Sequence, residues 1–77
     1  MAPYTADLEL LRTAAELLFG PQWQAPLARA LGVSRRQTVA WAAGEHQPRE
    51  KVWMQLAELV WKRQAELKAV QARLRKR

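Results

Sequence analysis

Seventy-seven residues make one small domain, which buries only about two thirds of its unfolded surface and gains a few kcal/mol from its core, so a partner subunit would help to hold it. With no cysteine and a single histidine, His46, the chain excludes a disulfide scaffold, a thiolate zinc finger and a cluster of metal ligands; no leader pattern and no apolar run of bilayer length occurs, and a cytoplasmic protein with no membrane association is expected. The formal charge of +6 is uneven: residues 1–33 carry two basic and three acidic side chains, residues 34–77 eleven basic and four acidic, which suits a polyanionic partner on the second side.

The pattern predicts an all-α, four-helix domain over residues 1–77. Residues 1–5, with Pro3 and no periodicity, read as an N-terminal arm, and Thr5 as an N-cap. Leu8, Leu11, Ala15 and Leu18 recur three and four apart and predict a first helix over 6–19, with Asp7 and Glu9 complementing its positive end and Gly20-Pro21 stopping it. A second helix is expected over 23–31. Pro26 is compatible with its first turn, where the missing N–H has no intrahelical partner, and Trp23 should pack under the corner. Leu27, Ala28 and Leu31 form its inner face, Gly32 supplies the positive φ that ends it, and Val33 plugs the turn.

Ser34 is placed to cap a third helix over 35–43, which opens with Arg35-Arg36-Gln37-Thr38, side chains able to meet phosphates and base edges. Its inner face is read as Thr38, Trp41 and Ala42, with Val39 close by; small Ala40, on an otherwise polar outer face, would permit close approach to a groove floor. Gly44 closes the helix. His46 falls in the loop that follows, and one imidazole beside one carboxylate is no catalytic constellation.

Pro48 is expected to open the fourth helix, with Gln47 as cap, and no Gly or Pro interrupts the pattern to 75, some 28 residues or about 42 Å. That is longer than a domain of this size can cover. Leu67, Val70 and Leu74 lie in a heptad-like series with Leu56, Val60 and Arg63, and Met54, Ala57 and Trp61 form a second apolar strip. Two readings stand: a helix kept in solution by Lys68, Arg73, Arg75, Lys76 and Arg77, or a dimerisation segment using Trp61, Leu67, Val70 and Leu74.

Gln24 heading the first motif helix, Ala28 four residues on, Gly32 after four more, then Val33-Ser34 and Trp41, resemble the lambda repressor/Cro-like (XRE-type) helix-turn-helix family of phage and bacterial regulators. The resemblance covers the chain from the first helix through the first half of the fourth. It implies a phosphate contact at Gln24, and a DNA-facing set of Ser34, Arg35, Arg36, Gln37, Thr38 and Ala40. The chain departs from the family at Thr38, where Val or Ile is usual. Either Thr38 packs inward with its hydroxyl bonded to the helix, or Val39 takes the inward place and the reading residues rotate.

The resulting expectation is a sequence-specific regulator of transcription, in the sense of a repressor, binding a palindromic double-stranded operator as a homodimer through the major groove. The alternative is a helix-turn-helix module that binds a protein, as an antitoxin, an adaptor or a nuclease inhibitor. No nucleophile-base pair, carboxylate pair or phosphate loop can be assembled, so no enzyme, cofactor, metal site or small-molecule ligand is expected.

Overall fold

A computed structural model describes residues 4–77, and the protein is all-α: α1 Tyr4–Phe19, α2 Gln24–Leu31, α3 Arg35–Ala42 and α4 Glu50–Arg75, with no strand among the described residues. Residues 1–3 of the expected arm lie outside the described residues. Thr5 does not cap the first helix, because α1 already includes Tyr4 and places Thr5 inside its first turn.

The core is built where the apolar faces of all four helices meet: Leu11, Ala15 and Leu18 of α1, Leu27 and Leu31 of α2, Trp41 of α3, and Val52 and Leu56 of α4, closed below by Trp23. Trp23 is buried at the corner before α2, and its carbonyl accepts the Leu27 N–H at 2.9 Å. Pro26 is the third residue of α2, where no donor is missed. Glycines with positive φ end the first three helices: Gly20 at 86°, Gly32 at 72° and Gly44 at 77°. Left-handed backbone disfavours any residue with a Cβ, so these stops follow directly from residue type.

Two arginines bind helix ends across the domain. Arg12 of α1 donates to the Ala42 carbonyl at the end of α3, and Arg63 of α4 donates to the Leu18 carbonyl of α1 at 2.9 Å. Both put a cation on carbonyls that lack an intrahelical partner. Arg63, the polar interruption in the apolar series of α4, is thereby a clamp within one chain, and it also pairs with Glu66 at 3.4 Å.

The start of α4 differs from the expected one. Pro48 is buried two residues ahead of the helix, and Arg49, with extended backbone, is the N-cap; neither its side chain nor that of Gln47 caps the first turn. Proline here fills space under the loop instead of opening the helix. From Glu50 the 26 residues of α4 span about 39 Å and set the long dimension of the molecule, 48 Å against 26 and 22 Å.

Candidate nucleic-acid interface

The α2–α3 pair is held by backbone chemistry at its turn. Gly32 directs its N–H to the Ala28 carbonyl, Val33 bonds the same oxygen at 3.0 Å, and the Val33 side chain packs against the core. Ser34 is extended and caps α3: its Oγ accepts the Gln37 N–H at 3.2 Å, and the Gln37 Oε1 accepts the Ser34 N–H at 3.1 Å. This reciprocal pair satisfies two backbone donors and sets the angle at which α3 leaves the turn.

Thr38 settles the rotation of α3. It is 0% exposed, whereas Val39 is 46% exposed. The Thr38 hydroxyl points at two carbonyl oxygens, Arg35 O at 2.8 Å in its own helix and Gln24 O at 3.0 Å in α2. A hydroxyl carries one proton, so the two acceptors share it, and the second bond ties α3 across to the start of α2. Thr38 is therefore not among the residues that can touch DNA: its methyl fills the core and its hydroxyl is used internally. That corrects its place in the expected DNA-facing set.

At about 100° per residue, Arg36 and Ala40 stand on the side of α3 opposite Thr38, and Arg35 lies closer to the domain. Arg35, Arg36 and Gln37 are all exposed, and Gln24 is half-buried at the first position of α2. Gln37 keeps its amide N–H groups for a ligand, but its carbonyl is held by Ser34. It cannot offer the donor-acceptor pair by which glutamine reads adenine. The Ser34 hydroxyl is likewise employed in the cap, with a further contact to Gln37 Oε1 at 3.4 Å.

Ala40 borders a cleft of about 580 Å³ between α3 and the start of α4, with Gln37 on one wall and Pro48, Arg49 and Lys51 on the other. Arg49 and Lys51 extend the positive surface of α3 sideways, a role that periodicity alone does not assign to them. Their signal in the sequence is only the renewal of basic residues after Gly44. Val39 leaves an exposed apolar side chain on α3.

The residues expected for dimerisation lie elsewhere. Trp61 is 75% exposed, and Leu67, Val70 and Leu74 are exposed as well. Trp61 lines a groove formed by α1 and α4 alone, so the apolar strip does not share a surface with α3. Among the described residues no helix is long and apolar enough to cross a membrane, and no group of His, Cys, Asp or Glu could hold a metal ion. Comparison with family models, with curated proteins and with solved structures returned no match to the chain.

Proposed function

We propose that the protein is a helix-turn-helix regulator of the lambda repressor/Cro-like type that binds double-stranded DNA as a dimer and inserts α3 into the major groove. The observation that carries this reading is the fixed presentation of α3: Thr38 is locked inward, so Arg36 stands outermost on an exposed basic helix. In this reading Arg36 pairs with guanine O6 and N7, Arg35 and Gln24 hold phosphates, and Arg49 and Lys51 meet the backbone beside the groove. Ser34 and Gln37 set the helix angle, and Ala40 lets the backbone approach.

The alternative, a protein-binding module, draws support from the apolar α1/α4 groove, which carries none of the basic residues of α3. Selection of duplexes from a random-sequence pool by the full chain separates the two. A DNA regulator enriches one palindromic sequence, and its affinity falls steeply between 50 and 200 mM salt as about 0.9 counterions are released per phosphate contact. A pool that remains random after repeated rounds contradicts the reading.

A further inference from the structure

The apolar stripe of α4 does not end where the domain ends. Val52 and Leu56 bury it against the core and Arg63 clamps it to the end of α1. Leu67 continues it at the end of the α1/α4 groove, beside Leu17 and Leu18, and Val70 and Leu74 carry it on toward the end of α4; all three are exposed. Beside the stripe runs the open groove between α1 and α4, about 520 Å³ in its distal part, walled by Leu10, Ala14 and Leu17 on one side and Val60, Gln64 and Leu67 on the other. Leu17 is 81% exposed.

The total exposure quantifies what is uncovered. The chain exposes 6172 Å² at 8.9 kDa. A compact monomer of that mass exposes about 4,800 Å². The excess is larger than the ~800 Å² that each partner contributes to an interface of standard size.

We infer that the occupant of this groove is the distal α4 of a second copy, laid antiparallel and centred on Leu67, so that each chain's projecting helix covers the other's α1/α4 groove. Val60, Leu67 and Leu74 are spaced seven apart and symmetric about Leu67. An antiparallel pair thus sets Leu67 against the partner's Leu67 and Leu74 over the partner's Val60 and Leu17.

Charge selects the direction. Residues 68–77 carry five basic side chains and no acidic one, whereas α1 has three acidic residues and one basic. Antiparallel packing lays the basic end along the partner's acidic α1. Parallel packing would set five positive charges beside five. Trp61, at the proximal end of the groove, is covered in the same contact.

This pairing specifies the dimer half of the proposed function and is independent of whether α3 binds DNA, so it is tested on the full chain without DNA. Sedimentation equilibrium of the wild type is expected to give a dimer, and Leu17→Glu and Leu67→Glu are each expected to give a monomer with unchanged helical circular dichroism. Both residues are exposed in the single chain, so neither substitution disturbs its core. The chain has no cysteine, which permits a register test by oxidation. Leu67→Cys alone should cross-link, as should the double variant Val60→Cys/Leu74→Cys. Leu74→Cys alone should not, its two copies standing 14 residues, about 21 Å, apart along the helix pair.

A wild type that stays monomeric at 100 µM overturns the inference. Rapid cross-linking of Leu74→Cys alone overturns the antiparallel register, and a Leu17→Glu variant that stays dimeric removes α1 from the interface. Loss of DNA binding with the dimer intact, as from a change in α3, would count against the functional reading and leave this pairing standing.

Discussion

The α2–α3 motif and the distal half of α4 solve opposite problems with similar lengths of chain. In the motif the turn between the two helices is held by paired polar groups: Ser34 with Gln37, Gly32 and Val33 on Ala28, Thr38 on Gln24. Distal α4 has a regular backbone, yet its large apolar side chains, Leu67, Val70 and Leu74, stay largely exposed within one chain. The first is complete in itself and positions side chains. The second is complete as a helix and unfinished as a surface.

Substitutions should divide along the same line. Trp41→Ala, at the centre of the motif's contact with the core, should cost about 3–5 kcal/mol, as much as the whole core of so small a domain supplies. Loss of the cooperative thermal transition by circular dichroism checks this; a folded variant would mean that Trp41 is dispensable to the core.

Gly32→Ala comes next. A Cβ there meets nothing within 4 Å, so the cost is that of a left-handed backbone alone, roughly 1–2 kcal/mol. In a domain of this size each kcal/mol lowers Tm by about 4–8 °C. Ser34→Ala removes the side-chain cap of α3 and should cost about 1 kcal/mol, while the backbone N–H at position 34 can still hold the Gln37 carbonyl. Leu74→Ala should change the stability of the dilute, monomeric chain by less than about 0.5 kcal/mol, yet weaken self-association. If Leu74→Ala destabilised the monomer as much as Gly32→Ala does, the contrast between the two regions would be false.

Much of the architecture was legible because residue types with one dominant physical role mark the joints. Gly20-Pro21, Gly32 and Gly44 stop helices, and the three-and-four spacing of leucines shows which faces turn inward. The rotation of α3 was not legible, because threonine can act as a small apolar residue only if its hydroxyl finds an acceptor. That acceptor, the Gln24 carbonyl, is 14 residues away in sequence and adjacent only in the fold.

The bond between Gln37 and Ser34 was readable from the Ser-x-x-Gln spacing, which marks a capping box, and it removes half of the Gln37 recognition capacity. Pro48 misled because proline suits both the first turn of a helix and the loop before one, and the burial beneath that loop decides between them. Arg63, expected within the heptad-like series of the fourth helix, and Arg12, to which the pattern assigned no role, gain theirs only when the fold sets helix ends beside them. The α1/α4 groove, finally, needs both helices in place; its α1 wall includes Leu10 and Leu17, outside the series Leu8, Leu11, Ala15 and Leu18 that predicted the helix.

The central claim is that Arg36, standing outermost on a rotationally fixed α3, reads a base. Fluorescence anisotropy of the full chain on its selected duplex and on a scrambled duplex, for the wild type and Arg36→Ala, tests it most directly. The expected result is a loss of discrimination between the two duplexes by about 5- to 150-fold per half-site, the equivalent of 1–3 kcal/mol, with little change on the scrambled DNA. An equal loss on both duplexes would make Arg36 a phosphate contact and contradict the claim.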